Sequence, residues 1–287
     1  MLDRRAALRR MVHGTATGLA VGGWLLWPAP AAAGEPLTVE VLEKGSSSLF
    51  QLRAARRQVP VSRIAGAHRR NVEAVLKDVS IYRKLPEVRC QADPKTLEHF
   101  LANPDVAVGL WKSMGVSNMA LTQVAPGVFD ADDGSGSGGR VSVVYAQQGE
   151  RVLYCAGHFM NPVARKPIEA NCVVDFRYRY ERGRGGAVFV RQSATMFVSL
   201  PSAAVEATAR VISPVSNRIA DKNFEEVCLF LRMMSEAMWN KPGWCESVGR
   251  GLVGVDERKI EDFLTCCAEV RAGELRRLAA AGGTTRR

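Results

Sequence analysis

The stretch from Asn171 to Leu200 constrains the fold of this chain more than any other segment. Its first arm alternates apolar and polar side chains, which is the pattern of a β-strand with one buried face. The glycine-rich turn 182–186 accepts positive φ angles, and a second β-rich run follows it, so the segment predicts a long antiparallel hairpin. The apolar face of the first arm carries Cys172, Val174, Phe176, Tyr178 and Tyr180, and the polar face carries Asn171, Asp175, Arg177, Arg179 and Glu181.

An amphipathic helix is predicted after the hairpin, beginning at Phe224. Apolar residues recur there every three or four positions up to Met238. Asn223 with Glu226 three residues later resembles a capping box, and Gly243 marks the far end. The apolar stripe of this helix requires a buried partner, and the apolar face of the hairpin is the nearest large apolar surface.

Shorter elements surround this pair. The segment from Ser80 to Ala92 is predicted to be extended and broken at Pro86. Two short helices joined at Asn103-Pro104 follow, and then a meander of strands leads to the hairpin. The other predicted elements are a strand at Leu37 to Leu42, a helix at Arg63 to Asp78, a helical segment in Pro201 to Ala220 interrupted at Ser213-Pro214, and a helix at Asp256 to Ala281.

The order of these elements resembles the START-like, or helix-grip, superfamily, which includes polyketide cyclase/dehydratase-like proteins. The resemblance covers residues 80–240 and rests on a strand, two short helices, a run of antiparallel strands and a long amphipathic helix. It implies an α+β fold in which a curved antiparallel sheet wraps around the C-terminal helix and encloses an apolar cavity. Residues 34–79 and 241–287 are predicted to be helical flanks of that domain.

Residues 1–33 have the composition of an export signal. Paired arginines at Arg4-Arg5 and Arg9-Arg10 precede a mostly apolar segment, and Ala31 to Ala33 offer an A-x-A cleavage site. The paired arginines suit the twin-arginine route. The alternative is an uncleaved anchor at the lower limit of membrane-spanning length. The sequence therefore predicts a periplasmic or secreted protein.

The apolar face of the hairpin and the long helix suggest a binding site for a lipid or another apolar small molecule. The alternative is that the same side chains fill a packed core. The residues predicted to contact the ligand are Trp111, Tyr154, His158, Phe176, Tyr178, Met196, Phe230 and Met234.

Two other functions remain open at this stage. His158, with Tyr154 on the same strand face and Asp175 on the next strand, suggests an acid/base enzyme of the cyclase/dehydratase type. A histidine at a strand end is more often only solvated or hydrogen-bonded. The third hypothesis is an interaction module of the cell envelope in which the flanks provide the contacts.

Charge and motifs limit the partners. The chain has a formal charge of +10, and the five arginines of the hairpin suggest either a solvated face or a peripheral contact with anionic lipid. No basic run with interleaved aromatics lies outside the hairpin, so no nucleic-acid partner is expected. No cofactor motif, CxxC pair or zinc-type spacing is found, so no cofactor or metal is expected. Among the seven cysteines, Cys155 with Cys172 and Cys228 with Cys245 are candidate disulfide pairs.

Overall fold

The structure, a computed structural model, describes residues 37–160, 167–201 and 203–283. In these residues nine antiparallel strands form one open, curved sheet, and seven helices cover its two faces. The strands are β1 (Glu40–Glu43), β2 (Ile81–Lys84), β3 (Glu87–Gln91), β4 (Ala120–Ala125), β5 (Val128–Asp132), β6 (Gly138–Gln147), β7 (Glu150–Met160), β8 (Pro167–Arg182) and β9 (Val188–Ser199). The helices are α1 (Leu49–Gln58), α2 (Gly66–Lys77), α3 (Pro94–Ala102), α4 (Pro104–Ser113), α5 (Ala203–Asn240), α6 (Pro242–Arg250) and α7 (Glu257–Gly283).

The strand order places the first strands of the chain beside the last one. The strands follow the order β1-β3-β9-β8-β7-β6-β5-β4, and β2 also pairs with β9. The break at Pro86 separates β2 from β3, as the sequence predicts, so two short strands lie along one long one. The predicted α+β fold, with a curved antiparallel sheet and a long C-terminal helix, is confirmed.

The long hairpin is β8 and β9. Its register runs without a bulge from the pair Asn171 and Ser199 to the pair Arg182 and Val188. Gly185 and Gly186 have φ angles of 64° and 75°, which an L-residue with a side chain rarely adopts. The prediction of a glycine-dependent reversal is therefore confirmed.

Helices cover both faces in the middle of the hairpin, so its outer face is polar and exposed only in part, at positions such as Asn171 and Arg179. Val173 is fully buried and Asp175 is nearly so, although both lie on the face that alternates as polar. Helices α1 and α2 cover this outer face and bury Val152, Val173 and Phe197 beneath them. The inner face, which carries Phe176 and Tyr178, packs on the other helices.

Helix α5 is longer than the sequence pattern predicts. It runs continuously from Ala203 to Asn240, so Pro214 does not interrupt it and Asn223 lies inside it instead of capping it. A proline inside a helix removes one backbone hydrogen bond. The buried C-terminal half of α5 stabilises the helix, since tertiary packing outweighs local propensity. The predicted end near Gly243 is confirmed, because α5 ends at Asn240.

Candidate functional site

The eight residues predicted to contact a ligand do not all lie on the same face of the sheet. Trp111, Phe176, Tyr178, Phe230 and Met234 lie in or against one inner core, and Met196 lies on the inner face opposite Val174. Tyr154 pairs with Val173 and His158 pairs with Glu169, so both lie on the outer face. The structure therefore brings six of these residues to one side of the sheet and places two on the other.

The core on the inner side is densely packed at the end of the sheet near the hairpin turn. The ring centroids of Trp111 and Phe230 lie 5.5 Å apart in an edge-to-face arrangement, and those of Phe100 and Phe230 lie 5.3 Å apart. Phe176 and Tyr178 stack with centroids 5.7 Å apart. Phe230 and Met234 are almost completely buried, so these two residues stabilise the core and present little surface to a ligand.

Further along the inner face, an apolar band is only half buried. Cross-strand pairing places its members side by side on β6 to β9. Arg83 of β2 pairs in register with Met196 and forms an ion pair with Asp221 of α5, which fixes the helix at one border of the band. The apolar band consists of Val141, Val143, Leu153, Cys155, Cys172, Val174, Met196 and Val198.

A polar cluster lies at the other end of the band. The hydroxyls of Tyr178 and Tyr180 each donate a hydrogen bond to Oε1 of Glu98, at 2.8 Å, and Arg151 lies 3.6 Å from Oε2. Burial, together with the Glu98 carboxylate, raises the pKa of both tyrosines, so they remain protonated donors. Arg151 lies on the same inner face as Leu153 and pairs with Phe176 on the adjacent strand.

Arg151 has spare hydrogen-bonding capacity. Its side chain is only 19% exposed, and its Nε has no hydrogen-bond partner among the described residues. A buried guanidinium N–H without a partner is costly. The partly exposed guanidinium of Arg151 lies beside the apolar band, where it offers a donor to the polar end of a molecule lying on the band.

Sequence reasoning missed Glu98 and Arg151. Arg151 alternates with Leu153 and Cys155 on β7, and a charged residue in an apolar alternation was the available signal. Glu98 gave no such signal, because only the packing of α3 against β8 brings its carboxylate to the two tyrosines.

The proposed acid/base group is not assembled on the outer face. His158 is exposed and lies four residues from Tyr154 on the same strand, a separation of about 13 Å. Asp175 is opposite Val152, about 20 Å along the strand from His158. Tyr154 instead donates a hydrogen bond to Oδ1 of Asn171 at 2.9 Å. The geometry gives His158 neither of the partners that the sequence suggested.

Asp175 is a buried carboxylate whose ionisation opposes folding. Burial raises its pKa to about 6, although Arg177 lies 3.1 Å away and favours the charged form; Glu150 adds to the rise. Because the folded pKa exceeds the unfolded value, the stability contribution of this group is complete below the unfolded pKa and is lost as pH rises through about 6.

We expect this loss to be measurable by urea unfolding between pH 4 and pH 8. Ionisation of Asp175 should lower the free energy of unfolding by on the order of 3 kcal/mol over that range. Asp175→Asn should therefore become more stable relative to the wild type as pH rises. Asp130→Asn is the control, since Asp130 is exposed and Arg140 lowers its pKa. Parallel pH profiles for the wild type and Asp175→Asn would contradict the assignment.

Three of the five arginines of the hairpin are paired with carboxylates of the protein. Arg177 contacts Asp175 and Glu150, and Arg179 contacts Glu181. Arg191 forms an ion pair with Glu87. These arginines therefore contribute less positive potential at the surface than their number in the sequence suggests.

Each of the seven cysteines interacts with another cysteine, and Cys266 does so with its neighbour Cys267. Cys155 and Cys172 are directly opposite on β7 and β8. Cys245 forms a side-chain hydrogen bond with Cys267, so its neighbour is on α7 and is not Cys228. Cys228 interacts with Cys90. All seven are free thiols in the structure.

A separate surface pocket of about 290 Å³ lies at the ends of β7, β8 and β9. Residues of both sheet faces line it, including Glu169, Asn171 and Leu200. Elsewhere in the described part of the chain, no group of three or more His, Cys, Asp or Glu side chains is placed to hold a metal ion. No helix within residues 37–160, 167–201 and 203–283 has the length and apolar character to cross a membrane.

Comparisons with known proteins leave the family open. A scan of protein-family models and a search of curated proteins each found no match to this chain.

Proposed function

We propose that this protein is an exported, START-like binding protein for a lipid or another apolar small molecule, acting without chemical turnover. The order of elements supports the superfamily assignment: β3, then α3 and α4, then six antiparallel strands, then α5. Strand β3 pairs with β9, so the first strand of this unit lies beside its last strand. Helix α5 packs against β2 and β3 at this part of the sheet. Export rests on residues 1–33, which lie outside the described residues.

The half-buried apolar band is the observation that carries the proposal. Eight apolar side chains on four adjacent strands form one continuous surface beside α5, while the neighbouring part of the same face packs against the inner core. Contiguous apolar surface that stays accessible is costly in water and is typical of binding sites. A ligand covering the band would complete the core on this side of the sheet.

The polar cluster indicates how such a ligand would be oriented. Arg151 lies at the border between the band and the tyrosines, with 19% of its side chain exposed. Mostly apolar sites commonly use a few polar groups of this kind to fix orientation. We therefore expect an elongated ligand whose apolar body lies on the band and whose acceptor group meets Arg151.

Native mass spectrometry of the protein recovered from its own cell envelope, followed by organic extraction, tests this function. We expect a reproducible apolar adduct, and an intact mass showing whether residues 1–33 have been removed. Val174→Trp should fill part of the band and reduce adduct occupancy, or the affinity for added 1-anilinonaphthalene-8-sulfonate, by about tenfold or more, since a displaced apolar contact costs more than 1 kcal/mol.

Val124→Trp is the matched control, because Val124 is 48% exposed on β4, at the far edge of the sheet. It should retain wild-type occupancy. If the wild type yields no adduct and binds neither the fluorophore nor extracted lipids, the binding function is wrong. Equal losses in both tryptophan variants would move the site away from the band.

A further inference from the structure

The positive charge of the chain is concentrated in the helices on the outer face. We define the outer helical layer as residues 49–78, which include α1 and α2. It contains seven Arg and Lys residues and two acidic residues, Glu73 and Asp78, for a formal charge of +5 out of the chain's +10. A segment of thirty residues thus holds half of the net charge.

Most cations of this layer are exposed and lack acidic partners. Arg69 forms an ion pair with Glu73. Within the described residues, no ion pair is found for Arg53, Arg57, Arg70 or Lys77, all of which are exposed. Three of the hairpin arginines, in contrast, are paired with carboxylates. The layer is therefore the part of the described surface best able to attract an anionic partner.

Two large apolar side chains project from the same layer. Leu49 and Phe50, in the first turn of α1, are 75% and 89% exposed. Leu52 and Ala55 lie on the opposite side of α1 and pack against the sheet. Helical periodicity places Phe50, Arg53 and Arg57 on the outward face, three and four residues apart. An outward helix face with an aromatic residue and arginines, and no acidic residue, has the composition of an interfacial membrane contact.

We propose that the outer helical layer docks the protein on an anionic lipid surface. Leu49 and Phe50 enter the headgroup region, and Arg53 and Arg57 contact lipid phosphates. The exposed leucine and phenylalanine favour a membrane over a nucleic acid, because insertion into an interface buries apolar area that a phosphate backbone would leave in water. Docking here leaves the inner face of the sheet free and does not depend on the proposed ligand.

Co-sedimentation with vesicles tests the docking surface. The protein is used as recovered after expression with its own N-terminal segment, and its N-terminus is determined. A retained apolar N-terminus would bind vesicles regardless of their charge. We expect binding to vesicles of phosphatidylcholine with phosphatidylglycerol, weakened by salt, and little binding to phosphatidylcholine alone.

Paired variants locate the contact. Leu49→Ser with Phe50→Ser should reduce the partition coefficient on anionic vesicles about tenfold. Arg53→Gln with Arg57→Gln should reduce it about twenty-fivefold, since each surface arginine contributes roughly fivefold. The controls are Val253→Ser, at a site 86% exposed, and Arg258→Gln, both in the segment around the start of α7. These controls should bind as the wild type does.

Other outcomes would overturn the proposal. Equal binding by all variants would place the contact elsewhere, and a lack of preference for anionic vesicles would remove the role of charge. If duplex DNA or RNA bound the wild type and anionic vesicles did not, the layer would be a nucleic-acid surface. Thermal unfolding of each variant shows that the reduced binding comes from a folded protein.

Discussion

A valine in place of Gly157 is expected to lower the free energy of unfolding by about 3 kcal/mol, the upper range for overpacking a well-packed site. Gly157 of β7 lies opposite Gly139 of β6. A Cβ atom at position 157 would lie 2.7 Å from the Cα atom of Gly139, closer than non-bonded carbons approach. The obstacle is backbone, so the strands themselves must separate.

Gly273→Ala is the control for Gly157→Val. Gly273 is in α7, and a Cβ atom there would have no neighbour within 4 Å. Because glycine is unfavourable inside a helix, this alanine should stabilise the protein by about 0.5–1 kcal/mol. Both values are measured by urea unfolding at constant pH. A Gly157→Val protein with wild-type stability would show that β6 and β7 are not packed this closely.

Local sequence patterns predicted the elements that depend on local physics. The hairpin turn follows from Gly185 and Gly186, and the junction of α3 and α4 follows from Asn103-Pro104. The alternation of β8 set which residues share a face, and the structure keeps Phe176 and Tyr178 together. These features depend on the φ angles that glycine permits, on the N–H group that proline lacks and on the period of apolar residues. Residue types and their spacing in a single sequence determine all three.

Features that depend on distant packing were not predictable in the same way. Helix α1 contains only two buried residues, Leu52 and Ala55, so its apolar signal was weak. Helices α1 and α2 cover the outer face because the chain segment before β2 lies on that side of the sheet, which the local sequence does not specify. The register of β7 against β8, which pairs Tyr154 with Val173, places Tyr154 and His158 across the sheet from Tyr178.

The candidate site shows the same division. The pattern indicated an inner apolar face and named Phe176 and Met196 within it. It did not distinguish the packed part of that face from the accessible apolar band, because that distinction depends on how far the helices extend over the sheet. Nor did it identify the contact between Glu98 and the tyrosines, which joins residues 80 and 82 positions apart.

Phe197→Ala is expected to lower the free energy of unfolding by about 4 kcal/mol, as deletion of a large core aromatic side chain does. Phe197 is fully buried on the outer face of β9, and its ring centroid lies 5.7 Å from that of Tyr82. It belongs to the cluster that joins α1 and α2 to the sheet. The alanine leaves a cavity at this junction, so the outer helical layer should loosen before the inner core unfolds.

Phe50→Ala is the matched control, since it deletes the same side chain where it is 89% exposed and should change the free energy of unfolding by less than about 0.5 kcal/mol. Hydrogen–deuterium exchange resolved to peptides should show faster exchange in α1 and α2 of Phe197→Ala than in α5. Uniformly faster exchange in all helices would mean that the two cores unfold as one unit. The outer layer would then be an integral part of the sheet's stability, and docking it on a lipid surface would stabilise the whole protein instead of the layer alone.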